Sequence, residues 1–259
     1  MSIDFEEISK KINTNIIGKP LYVYESVTST NDVIRRLEHE NGLTVIAKSQ
    51  TNGRGRLGRS WASDEGGIYM SFMLTPPFEV SEIPVITVLA GLSVCLTIER
   101  YVPCGIKWPN DIVIDGKKVC GILAQGISTE GKTDAVIVGI GVNANTKNFT
   151  GDIEKTATSI GIECNKTINE NDIICDILVN FEKLYFNTDK EKIMDIFKEK
   201  CITLNSDVTV HFHSEKEDIK GVCTGLLPDA SIEVTKENGE RIYVSSGEVS
   251  VRGIYGYAK

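Results

Sequence analysis

Positive charge is scarce in this chain. Against 36 Asp and Glu stand 28 Lys and Arg, for a formal net charge of -8. Nonspecific nucleic-acid affinity comes mainly from Lys and Arg on phosphates, which argues against a general nucleic-acid binder. Seven cysteines (Cys95, Cys104, Cys120, Cys164, Cys175, Cys201, Cys223) are scattered, and no C-x-x-C pair occurs among them. An odd number without that spacing reads as free, mostly buried thiols in a reducing compartment. The start, Met-Ser-Ile-Asp-Phe-Glu-Glu, is acidic and has no apolar run, unlike a secretory signal. The longest apolar run, Ile83 to Ile98, is interrupted by Pro84, Thr87, Gly91, Ser93 and Thr97, too short and mixed to span a bilayer. A cytoplasmic protein is expected. Repeats and low-complexity segments are also missing. Histidines number three; His211 and His213 form an H-x-H on one strand face, but no third ligand accompanies them, and a surface pair is expected.

What is present is a stretch of three arginines alternating with three glycines, Gly53-Arg54-Gly55-Arg56-Leu57-Gly58-Arg59. Glycine lets the backbone approach a ligand closely, and arginine presents a planar fork of donors suited to carboxylate and phosphate. The stretch satisfies G-x-G-x-x-G and nearly satisfies a P-loop pattern. Both motifs need a helix straight after the glycines, because the phosphate sits on its N-terminus. Here Trp61 to Gly67 and the strand-like Ile68–Leu74 follow, so both readings are rejected. A solvated basic loop, a nucleic-acid contact and a lid over a small anion remain open at this stage.

Organisation along the chain reads as α/β. A short helix is expected over 3–13 with Phe5, Ile8 and Ile12 on one stripe, and a strand over Leu21–Tyr24. The capping cluster Ser26 to Asn31 then opens a helix to about Glu40. Leu43–Ala47 is a strand delivering the Gly/Arg loop, and Pro84 opens a helix to about Tyr101. Ile106–Ile114 and Lys117–Ile127 flank Asp115-Gly116, a strong hairpin signal. Ala135–Val142 is a further strand. Two helices are expected to open with capping boxes, Thr167 with Glu170 and Thr188 with Glu191. From residue 205 on, five short runs (208–212, 221–227, 231–235, 241–244 and 249–251) read as a small β barrel. A catalytic unit over 1–203 and a β module over 204–259 follow.

Two further segments carry charge: Lys107-Trp108-Pro109-Asn110-Asp111 before the hairpin and Lys117-Lys118-Val119-Cys120-Gly121 after it. A lysine on a β element is better positioned than one on a loop. Taken with Ser29-Thr30-Asn31, Gly139-Ile140-Gly141-Val142-Asn143 and the tail Gly247 to Arg252, these motifs stand in the order and spacing of biotin protein ligases. The chain resembles that family from about residue 20 to its C-terminus.

The resemblance implies a mixed β-sheet with helices on one face, like class II synthetases, and a C-terminal SH3-like barrel. It implies a ligase that forms biotinyl-5′-AMP from biotin and ATP, with Mg²⁺, and passes biotin to a lysine of a biotin carboxyl carrier domain of a biotin-dependent carboxylase. By the same resemblance Ser29, Thr30, Asn31 and Gln50 hold the biotin head, Arg54, Gly55 and Arg56 fold over biotin and acyl phosphate, and Lys118 contacts the reacting carboxyl and phosphate. Arg56, Arg59, Trp61, Asn110 and Asn143 serve the nucleotide, with Asp111 beside it; the metal ligands are not assigned. Ser29 and Thr30 have a rival role as helix caps, and Trp61 a rival role in core packing. Gln125 stands where members often carry glutamate. Some members have an N-terminal helix-turn-helix domain; Ser29 comes too early for one here, so no DNA binding is expected, nor any membrane contact, and a homodimer is left open. A lipoate ligase or octanoyl transferase shares the fold, but its Arg-Arg-x-Ser-Gly-Gly-Gly loop is missing. A nucleotide- or RNA-binding module built on the barrel is the non-enzymatic alternative.

Overall fold

The computed structural model describes residues 3–75, 80–130, 132–212, 217–246 and 249–253. Its centre is a seven-stranded sheet in the order β1-β2-β3-β7-β6-β5-β4. The strands are β1 Leu21–Val27, β2 Thr44–Gln50, β3 Gly67–Leu74, β4 Gly105–Lys107, β5 Asp111–Ile114, β6 Lys117–Thr129 and β7 Lys132–Asn143. Strands β1 and β2 run parallel and every other neighbouring pair is antiparallel.

Alternation along the central strands divides this sheet into two unlike faces. Ile68, Met70, Phe72 and Leu74 of β3, with Val136, Val138, Ile140 and Val142 of β7, belong to the main core. Over that face lie α3 (Ile83–Ile98), apolar all round and sandwiched, and α5 (Glu170–Asn187), whose Phe181 ring centroid is 4.5 Å from that of Phe72. The other face carries Tyr69, Ser71, Gly139, Gly141 and Asn143. Among the described helices the single turn and a half of α2 (Thr30–Ile34) covers part of it, closing a small core of Ile34, Leu43, Val45, Met73, Ala135 and Ile137. The long helices therefore lie on one face as expected, and the face left open is the one rich in glycine and polar groups.

Several local expectations need correction. The first helix, α1 (Phe5–Lys11), buries Ile8 fully, but Phe5 is 49% exposed, outside the stripe assigned to it. The helix after Ser29 ends at Ile34 instead of Glu40. The run Ile106–Ile114 is broken into β4 and β5, which fold back on each other through Trp108, Pro109 and Asn110; proline has no N–H to continue a ladder. Helix α5 is capped by Asn169 and α6 (Lys190–Lys200) by Asp189, each accepting from a backbone N–H, where Thr167 and Thr188 were expected. Asn and Asp outrank Thr as caps. A short helix, α4 (Ile160–Cys164), lay outside the expectations. The Asp115-Gly116 hairpin is as read, with φ of 46° and 73°, the left-handed pair of a two-residue turn.

The C-terminal strands β8 (Asp207–Phe212), β9 (Ile219–Leu226), β10 (Ile232–Thr235), β11 (Arg241–Val244) and β12 (Val249–Gly253) form a second, antiparallel sheet in the order β11-β10-β9-β8-β12. His211 Nδ1 lies 2.7 Å from Asp218 Oδ2, and His213, Gly247 and Glu248 fall outside the described residues. Among the described residues no cluster of three or more His, Cys, Asp or Glu could hold a metal ion, and no helix is long and apolar enough to cross a membrane.

Trp108 links the two sheets. Its ring is 1% exposed, its backbone N–H donates to Thr203 Oγ1 at 2.9 Å, and its indole Nε1 donates to the Ala230 carbonyl at 2.9 Å. Trp108→Ala removes a buried ring and orphans that carbonyl. It is expected to lower the unfolding free energy by about 3–5 kcal/mol, measured by urea denaturation.

Candidate active site

Three segments meet on the open face. The first is the Gly/Arg loop, which is pinned at its base: Gly55 N donates to Arg59 O at 2.7 Å and Trp61 N to Gly53 O at 2.9 Å. Its tip turns through Leu57 (φ 57°) and Gly58 (φ 71°), and no long helix follows, as the sequence required. The second is the Asn110–Asp111 corner where β5 begins. The third is Lys118 at the start of β6, held on both sides by the returning chain: Lys118 N donates to Thr156 O at 2.8 Å and Thr158 N to Lys118 O at 2.9 Å.

The charges are paired in a chain. Lys118 Nζ is 2.6 Å from Asp111 Oδ1, with the two side chains 23% and 12% exposed. Asn110 Nδ2 donates to Asp111 Oδ1 at 3.2 Å, and Arg56 Nη1 donates to Asn110 Oδ1 at 2.8 Å. Arg56 also donates to the carbonyl of Ser246, in the turn that follows β11. Burial lowers the affinity of Arg56 for its proton, opposed by the nearby Asp111 carboxylate; an arginine remains a cation under such a shift. Arg54 is paired with Asp32 at 3.0 Å on the exposed side. Arg59 is exposed.

Trp61 lies flat on the sheet because two glycines make room. Gly121 and Gly141 are direct partners across β6 and β7. A Cβ on Gly141 would come within 2.5 Å of Trp61 Nε1, and one on Gly121 within 2.7 Å of Cζ3. Lys118 Nζ sits 5.1 Å from the centroid of the same ring. Trp61 Nε1 is buried without a hydrogen-bond partner, a donor that a ligand can satisfy.

Two cavities meet at Trp61 and Lys118. The central one, about 50 Å³, is lined by Ser29, Thr30, Asn31, Gln50, Arg54, Gly55, Arg56 and Asn110 together with the glycine platform. The second, about 320 Å³, is lined by Arg59, Tyr69, Asn143, Phe149 and Ile153 among others. Every residue assigned to biotin or the nucleotide in the sequence therefore lines one cavity or the other, while Asp111, placed beside the site, lines neither and reaches it through Lys118. The rival role of Ser29 as a cap is not realised: it occupies the N-cap position of α2, yet its side chain makes no capping bond. Asn143 commits its Nδ2 to the Thr158 carbonyl at 3.0 Å, which leaves its Oδ1 for other partners. Gln125 accepts from Asn31 Nδ2 at 3.1 Å, a neutral partner for a neutral amide.

Residues missed from sequence fall into two groups. Phe149 and Ile153 sit on the chain that returns to Lys118; nothing in their local sequence marks them. Ser71 and the glycine platform could have been read from period two, since Ser71 on β3 and Gly139, Gly141 and Asn143 on β7 share a face. Gly141→Ala is expected to lift Trp61 off the sheet. The check is tryptophan fluorescence: a red-shifted emission and increased acrylamide quenching, with the buried Trp108 as internal reference.

Residues 22–143 match the model of the biotin/lipoate A/B protein ligase family. The chain is 37% identical over 187 residues to the bifunctional ligase/repressor BirA of Bacillus subtilis, covering 69% of this chain and 58% of that protein. It is 26% identical over 221 residues to the biotin--[acetyl-CoA-carboxylase] ligase of Mycobacterium tuberculosis, covering 81% of this chain and 79% of that one. Among solved structures it is similar to the biotin protein ligase from Aquifex aeolicus in complex with biotin and ATP, with a TM-score of 0.78 and 31% identity over 90% of this chain and 98% of that chain. With that share of the Aquifex aeolicus protein matched above 30% identity, on top of the paired cavities, the chain belongs to the biotin protein ligases within the biotin/lipoate A/B protein ligase family.

Proposed function

We propose that this chain activates biotin with ATP and transfers the biotinyl group to a lysine of a biotin carboxyl carrier domain of a biotin-dependent carboxylase. Lys118 carries the reading: it stands on a strand, at the junction of a polar cavity and a larger aromatic one. Biotin occupies the polar cavity, widened by movement of the Gly/Arg loop, with its ureido head toward Ser29, Thr30, Asn31 and Gln50 and its carboxylate toward Lys118, Arg54, Gly55 and Arg56. The nucleotide occupies the larger cavity, its base against Trp61 and its polar groups toward Arg59, Asn110 and Asn143.

In the first step a biotin carboxylate oxygen attacks the α-phosphorus of ATP. The new P–O bond forms as the bond to the bridging oxygen breaks, and pyrophosphate leaves. In the second step the lysine amine attacks the acyl carbon, the amide forms, AMP leaves with its oxygen, and the amine gives up a proton. Anion meets anion in the first step, so catalysis rests on neutralising charge and holding the atoms in line. Lys118 and Arg56 face the α-phosphate. Asp111 holds Lys118 in place through the ion pair at 2.6 Å. An acyl adenylate hydrolyses wherever water reaches it, so the loop acts as a lid.

Mg²⁺ suits this site as an ion carried by the triphosphate. Nucleotide-bound Mg²⁺ takes one or two carboxylates plus phosphate oxygens, and Asp111 is the carboxylate on hand. When bound, the ion would supply positive charge to neutralise the leaving pyrophosphate. The same reading takes residues 1–203 as the catalytic unit and 204–259 as an SH3-like module. It assigns the protein to the cytoplasm without DNA contact, supported by a net charge of -8.

The chain spans 58% of the length of its Bacillus subtilis relative, so the activity needs its own test. Mass spectrometry of a carrier domain incubated with biotin, ATP and Mg²⁺ is expected to show one biotinyl mass shift, and lipoate in place of biotin none. Lys118→Ala is expected to reduce biotin-dependent ATP–pyrophosphate exchange by ~10²–10³. Arg56→Gly is expected to release the adenylate early and label bystander lysines. Labelling confined to the carrier lysine would defeat the lid.

A further inference from the structure

Ser71 is a polar side chain in the middle of the central sheet, on a strand otherwise made of apolar residues. It is 0% exposed. Its Oγ lies 2.7 Å from Thr30 Oγ1 and 2.6 Å from Asn31 Oδ1. Neither neighbour is isolated. Thr30 N donates to Gln50 Oε1 at 2.8 Å, and Thr30 Oγ1 is 3.2 Å from the same oxygen. Gln50 Nε2 donates to Ser63 Oγ at 2.8 Å, and Asn31 Nδ2 to Gln125 Oε1 at 3.1 Å. The result is a relay that runs beneath the central cavity from Ser63 to Gln125.

The direction of the relay follows from counting protons. A hydroxyl has one proton to donate and two lone pairs. Asn31 Oδ1 is a carbonyl oxygen with none to give, so the Ser71 proton goes to it. The proton between Ser71 and Thr30 must then come from Thr30. Turning the Asn31 and Gln125 amides over reverses the chain: Asn31 donates to Ser71, Ser71 to Thr30, and the Thr30 proton goes to Gln50 Oε1. In both arrangements the one proton of Thr30 is spent inside the protein. Toward the cavity Thr30 presents lone pairs only.

We infer that Ser71 is a positioning residue that locks Thr30 as a hydrogen-bond acceptor, so that the cavity selects a ligand bearing an N–H at that point. This rests on the biotin reading above and deepens it. A ureido ring offers two N–H groups. A cyclic carbamate, in which oxygen replaces one of them, adds no bulk but sets lone pair against lone pair. A site whose polar groups are fixed in this way rejects the mismatched analogue strongly, by ~10² or more. With Ser71 gone, the Thr30 hydroxyl loses its shorter internal partner, and only the 3.2 Å contact to Gln50 Oε1 competes with a ligand for its proton.

The test compares biotin with its two mono-oxa ureido analogues in ATP–pyrophosphate exchange, for the native chain, Ser71→Ala and Ser71→Cys. The native chain is expected to prefer biotin in kcat/KM over at least one isomer by ~10²–10³. In Ser71→Ala that preference is expected to fall at least tenfold. The KM for biotin is expected to rise, kcat at saturating biotin to stay within about threefold, and the KM for ATP to hold. Ser71→Cys, which keeps a weak donor and acceptor, is expected to fall between the two and guards against misfolding of the alanine variant. A thermal melt accompanies each protein. An unchanged preference in both folded variants overturns the inference, and so does an equal loss for biotin and analogue, which a purely structural role would produce. Absence of any biotin-dependent exchange in the native chain instead overturns the functional reading.

Discussion

Successive side chains of a β-strand must leave on opposite faces, and the site is a consequence of that constraint. On β3, and on β7 from Val136 to Val142, the even-numbered residues are large and apolar and are sealed under α3 and α5. That burial holds the sheet rigid. The odd-numbered residues are then free to be what a ligand needs: Ser71, Gly139, Gly141 and Asn143. Because Gly121 on β6 stands directly across from Gly141, the two form a bare patch of backbone. An indole lies against it, and no other residue type at those positions would leave the space. A one-residue slip of β7 would put Ile140 and Val142 under Trp61 and the glycines in the core, so register and function are specified together.

The cationic site is electrically closed before any ligand arrives. Arg54 is matched by Asp32, Lys118 by Asp111, and Arg56 by the Asn110 side chain and a backbone carbonyl. Such a site does not hold bare charges at the expense of desolvation. On the proposed function, an anionic substrate would enter by exchange, a carboxylate or phosphate taking the place of a partner already present. The partners differ in kind. Arg54 and Asp32 are on the exposed side, where an ion pair is worth little. Lys118 and Asp111 are mostly buried, and that pair is the stiffer part of the site. This asymmetry suits the role proposed for Lys118, a fixed cation beneath a loop that yields.

Much of this was legible in the sequence, and the failures share a cause. The Asp115-Gly116 turn was readable because a two-residue turn demands positive φ at both positions. Strand positions in the C-terminal region were readable because turn residues separate them. The caps were misplaced by one or two residues because Thr-x-x-Glu satisfies a local pattern that Asn169 and Asp189 satisfy better. The helix after Ser29 was read too long because Leu37 continues an apolar period, whereas the chain must turn at once to reach β2. Six motifs in order pointed to residues that line the two cavities, but their partners were invisible. Asp111 was placed beside the site, yet only the fold brings it onto Lys118. Phe149 and Ile153 come from a loop whose sequence has no period at all. Ser71 was hidden inside a run that reads as an ordinary buried strand.

The segment Lys107 to Asp111 joins these threads, because its residues divide between two tasks. Trp108 turns away from the site and donates to the carbonyl of Ala230, fixing the second sheet against the first. Asn110 and Asp111 turn toward it and hold Arg56 and Lys118. Arg56 then reaches back to the carbonyl of Ser246, in the turn that follows β11 of that second sheet. The corner and the loop thus form a closed circuit of contacts through both sheets. A displacement of the C-terminal unit would pull on Trp108 and on Arg56 together, and through the Asn110–Asp111 corner on Lys118. The second sheet bears on the cavities by holding the corner on which these charges are mounted, without lining the platform where Trp61 lies.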